Sequence, residues 1–278
     1  MILFPAIAPY RYDELRMACD IIDSGNITSD MLMIFDRFFS NYKMAAILEF
    51  QEKKIKYVIR VNENYNFSKR FIESKKKSAV IDLFPSYAAI KSLREYKYKV
   101  SIATPVKVRL IRIKLPTGKI EVLMTNLWEE EGYAVDEFKL LYSLRWGVET
   151  NINFQKNILQ LESLSGLSPL SVMQDFFATV FISNLHHLLL KPAQETINKT
   201  VIRKYPMKIN NNKAFGKIKE NLIHLFITFE PQNILKKLHD YFIKWILPIR
   251  NNRSFPRIRK NPQSKSKYRT FTNYKPTY

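Results

Sequence analysis

Within YSLRWGVETNINFQK the chain places Tyr142, Arg145, Glu149 and Lys156 at offsets of 3, 7 and 14. At about 100° per residue on a helix, these offsets fall within a narrow arc. The spacing predicts one helix from Asp136, a plausible N-cap, to about residue 159. A phenol, a guanidinium, a carboxylate and an ammonium would line one stripe of it. Leu141, Leu144, Val148, Ile152 and Ile158 cover much of the remaining circumference and would bury it. Such a stripe suits a polyanion: the cations and the phenol can hold phosphates, and the carboxylate can hold a metal. The plainer alternative is a solvated helix face with an Arg–Glu i,i+4 pair.

The chain has 278 residues, 46% of them hydrophobic, and a net charge of +20. That length supports a sizeable core, as one large domain or a domain with an insertion. The ordinary apolar fraction excludes disorder throughout. The charge speaks to partners rather than fold, and nucleic acid is the default polyanion. No apolar run is long enough to span a membrane; FFATVFISNLHHLLL is interrupted by Ser183, Asn184, His186 and His187. A single cysteine, Cys19, leaves no disulfide within the chain and no cysteine-based zinc site. No signal peptide is read at the start, and a cytoplasmic protein is the simplest reading.

Along the first 62 residues strand and helix signals alternate. MILFPAIA and MLMIF read as strands, DELRMACDIIDSG and NYKMAAILEFQEKK as helices, and KYVIRV as a further strand. This predicts an α/β fold, a parallel or mixed sheet flanked by helices. Strand signals then dominate to Leu127. VKVR and IRIK alternate apolar with basic, and the slip at Leu110–Ile111 reads as a bulge. Lys107, Arg109, Arg112 and Lys114 are read either as a DNA-facing strand surface or as a solvated edge protected by its lysines. Beyond the stripe, Ser168–Pro169 opens a further helix as N-cap and first position. Helices follow at about 213–228 and 232–247. Arg250 to Tyr278 reads as a basic tail with interleaved aromatics, suited to backbone binding and stacking. His186 and His187 lack partners at metal-ligand spacing. They read as packing or surface residues, and Trp146 reads as core.

Tyr-x2-Arg-x3-Glu-x6-Lys resembles the signature of the IS-four family of bacterial insertion-sequence transposases. Asp36-Arg37-Phe38-Phe39-Ser40 resembles that family's second acidic motif, though Phe38 replaces a usual glycine. Thr125-Asn126-Leu127 resembles the strand end before the signature helix. LESLSGLSPLSVMQDFF, from Leu161 to Phe177, and RSFPR, from Arg253 to Arg257, are similar to segments that follow it. The resemblance implies a ribonuclease-H-like mixed sheet interrupted by a β-rich insertion, with a helical C-terminal region. The expected divisions are a core at 1–62, the insertion at 63–127, signature-bearing core helices at 128–190, a helical region at 191–249 and the tail at 250–278.

The same resemblance implies DNA cleavage and strand transfer at transposon ends, with Asp36 and Glu149 as the second and third members of an Asp-Asp-Glu triad. The implied cofactor is Mg²⁺ or Mn²⁺. Two ions about 4 Å apart activate the attacking oxygen and stabilise the leaving one, and carboxylate oxygens suit such hard cations. Tyr142, Arg145 and Lys156 are implied to grip DNA phosphates, with Arg37 beside Asp36. The implied partners are transposon-end and target DNA, with a homodimer or pairing with full-length transposase left open. The base-holding tryptophan that some relatives carry in the insertion has no counterpart. The first aspartate also has no counterpart: Asp13, Glu14, Asp20, Asp23 and Asp30 all fall on or beside the first helix. The expectation is therefore a fragment lacking that residue and the first strands, with a non-catalytic DNA-binding remnant or regulator as the alternative.

Overall fold

The computed structural model describes residues 2, 5–9, 12–52, 54–115, 117–166, 168–200 and 203–250. Pro116 and residues 251–278 of the expected tail, RSFPR among them, lie outside these. The chain divides into two units, Ala8–Thr150 and Met1–Ile7 with Asn151–Tyr278. No helix among the described residues is long and apolar enough to cross a membrane.

In the first unit, Asp13 caps α1 (Glu14–Asp23) by accepting the Leu15 N–H. Strand β1 (Leu32–Phe35) leads through the turn after Asp36 to α2 (Tyr42–Glu49), which Asn41 caps through the Met44 N–H. Then come β2 (Lys56–Arg60), α3 (Asn66–Glu73), β3 (Ser78–Leu83) and α4 (Tyr87–Glu95), the last capped by Ser86. Strands β4 (Val106–Lys114) and β5 (Ile120–Thr125) complete a sheet of order β1-β2-β5-β4-β3. β1 and β2 are parallel and the other pairs antiparallel. A mixed sheet with flanking helices is therefore present. The stretch 63–127 contributes three strands to this same sheet and two helices besides. Of MILFPAIA, the described residues Ile2 and Pro5–Ala8 adopt no strand.

Both faces of the sheet are covered. Val106, Val108, Leu110, Val122 and Met124 pack with Cys19, Ile22, Met44, Leu48, Phe71 and Leu93. On the opposite side Val58, Ile111, Ile113 and Leu123 pack with Leu127, Phe138 and Tyr142. This explains the apparent slip at Leu110–Ile111. β4 keeps an unbroken register with β3 and β5 through both residues. The expected bulge is absent, and the alternation fails because a strand covered on both faces has no solvent side.

The expected single helix at 136–159 is divided. α5 (Glu137–Ser143) and α6 (Trp146–Asn157) are separated at Leu144–Arg145. Leu144, Arg145, Gly147 and Val148 each donate their N–H to the carbonyl three residues earlier. Such bonds wind the chain more tightly than an α-helix, and Gly147 weakens helix at this point by about 1 kcal/mol.

In the second unit α7 (Pro169–Thr200) begins where Ser168 accepts the Ser171 N–H, as Ser168–Pro169 predicts. Its Leu190, Ala193 and Ile197 pack with α8 (Asn211–Ile227) and α9 (Gln232–Lys244) through Ala214, Ile218, Leu238 and Phe242. A short antiparallel pair, β6 (Met207–Ile209) and β7 (Ile246–Pro248), joins them. His186 is buried and stacks on Phe154 with ring centroids 4.4 Å apart, in keeping with a packing role.

Candidate active site

Asp36 directly follows the last residue of β1, where ligands of open α/β sheets gather. Its backbone is extended, and Oδ1 accepts the Phe38 N–H at 2.6 Å, capping the short 3-10 turn Arg37–Phe39. The turn-forming reading of Asp36 is thus satisfied by one oxygen. The other, Oδ2, lies 3.9 Å from Nη2 of Arg60. Arg60 ends β2, which runs parallel to β1 with Phe35 opposite Ile59. Parallel pairing therefore brings the two strand ends, and these two side chains, together.

Arg60 also reaches the other way. Its Nη1 lies 3.0 Å from Oε1 of Glu121 on β5. Arg60 is opposite Leu123, so Glu121, two residues along, projects from the same face of the neighbouring strand. The β5 end is fixed to β2 by Thr125–Asn126: the Asn126 side chain accepts the Tyr57 N–H and donates to the Ile55 carbonyl.

The α5–α6 junction supplies the remaining groups. Tyr142 is 5% exposed. Burial raises its phenol pKa, while the nearby charges of Arg60 and Arg145 lower it and those of Glu121 and Asp36 add to the rise. Arg145 donates through Nη2 to Oε1 of Glu149 at 2.8 Å. Its guanidinium carbon lies 5.7 Å from the Tyr142 ring centroid and 5.3 Å from that of Trp146. Burial disfavours the Arg145 charge, but the Glu149 hydrogen bond and the charges of Tyr142, Glu149 and Asp36 outweigh it, so its pKa is raised. Asp36, Arg60, Glu121, Tyr142, Arg145 and Glu149 thus form one charged cluster at an end of the sheet.

Three buried polar groups in this cluster have no hydrogen-bond partner: Nε of Arg60, Nε of Arg145 and Oη of Tyr142. Each orphaned group costs about 1–3 kcal/mol. All three can donate, and all three are closed off as the side chains stand, so an acceptor-rich anion would reach them only as the Arg60 and Arg145 ion pairs open.

Other expected site residues lie elsewhere. Arg37 is exposed in the turn after Asp36. Lys156 belongs to the second unit, where Nζ pairs with Oε1 of Glu162 at 2.6 Å. The stripe's apolar partners do not bury it: Leu144, Val148 and Ile152 are exposed, while Tyr142 and the Arg145 side chain are covered. Trp146 is 56% exposed, correcting the core assignment. Lys107, Arg109, Arg112 and Lys114 do not form one surface, because Lys107 and Arg109 point from one face of β4 and Arg112 and Lys114 from the other. Arg109 is only 1% exposed. It donates to the Leu127 and Tyr133 carbonyls, to Ser78 Oγ and to Glu129 Oε2, so it clamps the β5–α5 connection and is inaccessible to DNA.

Residues 14–185 match the family described as transposase DDE domain. The chain belongs to this family. No curated protein and no solved structure matches it. Membership places the chain among enzymes that cut and transfer DNA, generally with divalent metal ions.

The described residues include every aspartate, glutamate and histidine of the chain, yet no three of these side chains, with cysteine, converge to hold an ion. Asp36 and Glu149 offer hard oxygens, but each faces an arginine. Asp13 caps α1, Asp20 accepts from Tyr12 and Tyr96, Asp23 accepts from Tyr98, and Asp30 pairs with Thr28. This donor set does not fit the three-carboxylate metal site that a DDE transposase implies. Arg60 and Glu121 escaped the sequence reading. The available signal was a cation closing the apolar strand that follows, after one helix, the strand ending at Asp36.

Proposed function

We propose that this chain acts in DNA transposition as an IS-four-type transposase polypeptide built on a ribonuclease-H-like core. Its described residues supply the part of the site that grips DNA and two of the acidic positions. The reading rests on the unpartnered Arg60, Arg145 and Tyr142 donors beside Asp36 and Glu149. A phosphodiester brings two non-bridging oxygens, each able to accept more than one hydrogen bond. Seated between the two arginines, it would satisfy both Nε–H groups and the Tyr142 hydroxyl at once. Arginine suits this task because its planar fork is always charged. Bound phosphate would draw Arg145 from Glu149 and Arg60 from Asp36, releasing carboxylate oxygens beside the scissile bond.

Mobility-shift assays on the DNA that flanks this chain's gene test the reading. Preference for that DNA over scrambled DNA of equal length, lost in Arg145→Ala, is the expected result. Equal binding to both sequences would favour a general DNA-binding remnant instead. With Mg²⁺ or Mn²⁺ the chain alone should bind without cutting. Cutting that Asp36→Ala abolishes would mean that another carboxylate, Glu121 being nearest through Arg60, moves in to complete the site.

A further inference from the structure

A groove of about 910 Å³ runs between α3 and β3, within the first unit. Ser40, Asn41 and Tyr42, which immediately follow the Asp36 turn, are part of its lining. Its floor is apolar: Phe67, Phe71, Ala79, Ile81 and Leu83. Its lining also carries exposed Tyr65 and Phe84, 37% and 60% accessible, the exposed cations Arg70 and Lys76, and one exposed carboxylate, Asp82. Neither cation forms an ion pair among the described residues. The segment 66–77 holds Lys69, Arg70, Lys75, Lys76 and Lys77 against Glu73 alone. β3 is also the outer strand of the sheet, bonded only to β4 among the described residues.

We propose that this groove holds a single-stranded segment of DNA leading away from the Asp36 site. The inference rests on the transposase reading and extends it to a surface outside the charged cluster. An apolar floor with aromatic rims accepts base faces, which are exposed only when a strand is unpaired. Arg70 and Lys76 lie where the backbone of such a strand would pass. Stacking with a cationic track is how proteins hold single strands without reading sequence. A duplex hides its base faces and would meet only the rim. A β-strand from a second copy could pair with the open edge of β3, but the lysine-rich approach at 75–77 repels a second chain of the same charge and attracts phosphate.

The test compares binding of a fluorescent oligonucleotide, single-stranded or annealed to its complement, by the full chain and by variants. Tyr65→Ala and Phe84→Ala should each weaken single-strand binding about fivefold or more, with duplex affinity changed less than twofold. Tyr65→Phe should retain single-strand affinity, showing that the ring is what matters. Arg70→Ala with Lys76→Ala should lower the salt dependence of single-strand binding. Equal losses on single strand and duplex, or no loss on either, would overturn the groove proposal while leaving the transposase reading intact. Binding of neither DNA form by the unaltered chain would overturn both. If Tyr65→Ala and Phe84→Ala instead abolish a concentration-dependent dimer seen by sedimentation, and spare DNA binding, the groove holds a second copy and the proposal fails.

Discussion

Nη2 of Arg145 lies 2.8 Å from Oε1 of Glu149. Glu149 and Arg145, proposed here as an acidic position and a phosphate-gripping position, are therefore joined by an i,i+4 pair. The Arg145 side chain is 10% exposed and Glu149 41%. On the proposed reading, Glu149 competes with DNA phosphate for the Arg145 cation. Glu149→Gln should tighten binding to duplex DNA and steepen its salt dependence by about one phosphate equivalent. Anisotropy titrations at several salt concentrations measure this. Weaker binding by Glu149→Gln would show that the pair orients Arg145 for DNA rather than withholding it.

Arg109 carries a stability prediction in place of the DNA role expected for it. Arg109→Ala should destabilise the fold by roughly 3 kcal/mol, because it strands the Leu127 and Tyr133 carbonyls and empties a buried site. Glu129, being 64% exposed, should matter far less, within about 1 kcal/mol on Glu129→Ala. Urea unfolding compares the two. Arg109→Ala protein that is fully stable but binds DNA weakly would reverse the assignment.

His186 should make stability depend on pH. Burial foremost, and then His187, push its pKa down from 6.5 to about 4, with a backbone contact at Asn211 opposing. Between these values the unfolded chain takes up the proton and the folded one does not. Stability contributed by this site is thus full above pH 6.5, falls as pH drops toward 4, and is reduced by about 3 kcal/mol at the acid limit. The difference in unfolding free energy between the natural chain and His186→Phe should change across that window and stay flat above it. A difference independent of pH would contradict the buried neutral ring.

Cys19 is fully buried, and burial pushes its thiol up to about 11, with Asp20, Asp13 and Asp23 adding and Lys43 opposing. A thiol reagent at pH 8 should label the native chain at least about 100-fold more slowly than the unfolded one. Rapid labelling without unfolding would mean that α1 opens locally.

The sequence made the alternation of strands and helices legible, as well as the strand end at Asp36 and the start of α7, because each rests on local signals. It misjudged which side of the signature segment faces inward. Hydrophobic periodicity assumes that leucine and valine choose the buried side. Here Tyr142 packs with Val58, Ile111, Leu123 and Phe138, which are distant in sequence or on other elements, and Arg145 is covered beside the Tyr142 ring and Glu149. Bonds to the third preceding residue at Leu144–Arg145 also shift the register on which the arc was reckoned. Arg109 was misread for a related reason. A cation in an alternating strand looks solvated until the residues around 127–133 fold over it. The Arg60–Asp36 relation depends on parallel pairing of β1 and β2, a property of topology that neither strand states alone.

The central claim is that Arg60 and Arg145 hold a DNA phosphate beside Asp36 and Glu149. Its most direct measurement is the slope of log affinity against log salt for duplex DNA, comparing the natural chain with a variant carrying Arg60→Ala and Arg145→Ala. Losing the one phosphate contact that the two arginines share should reduce the slope by about 0.9, with the circular dichroism of the folded chain retained. An unchanged slope in a folded double variant would contradict the claim and leave the cluster as an internal ion network.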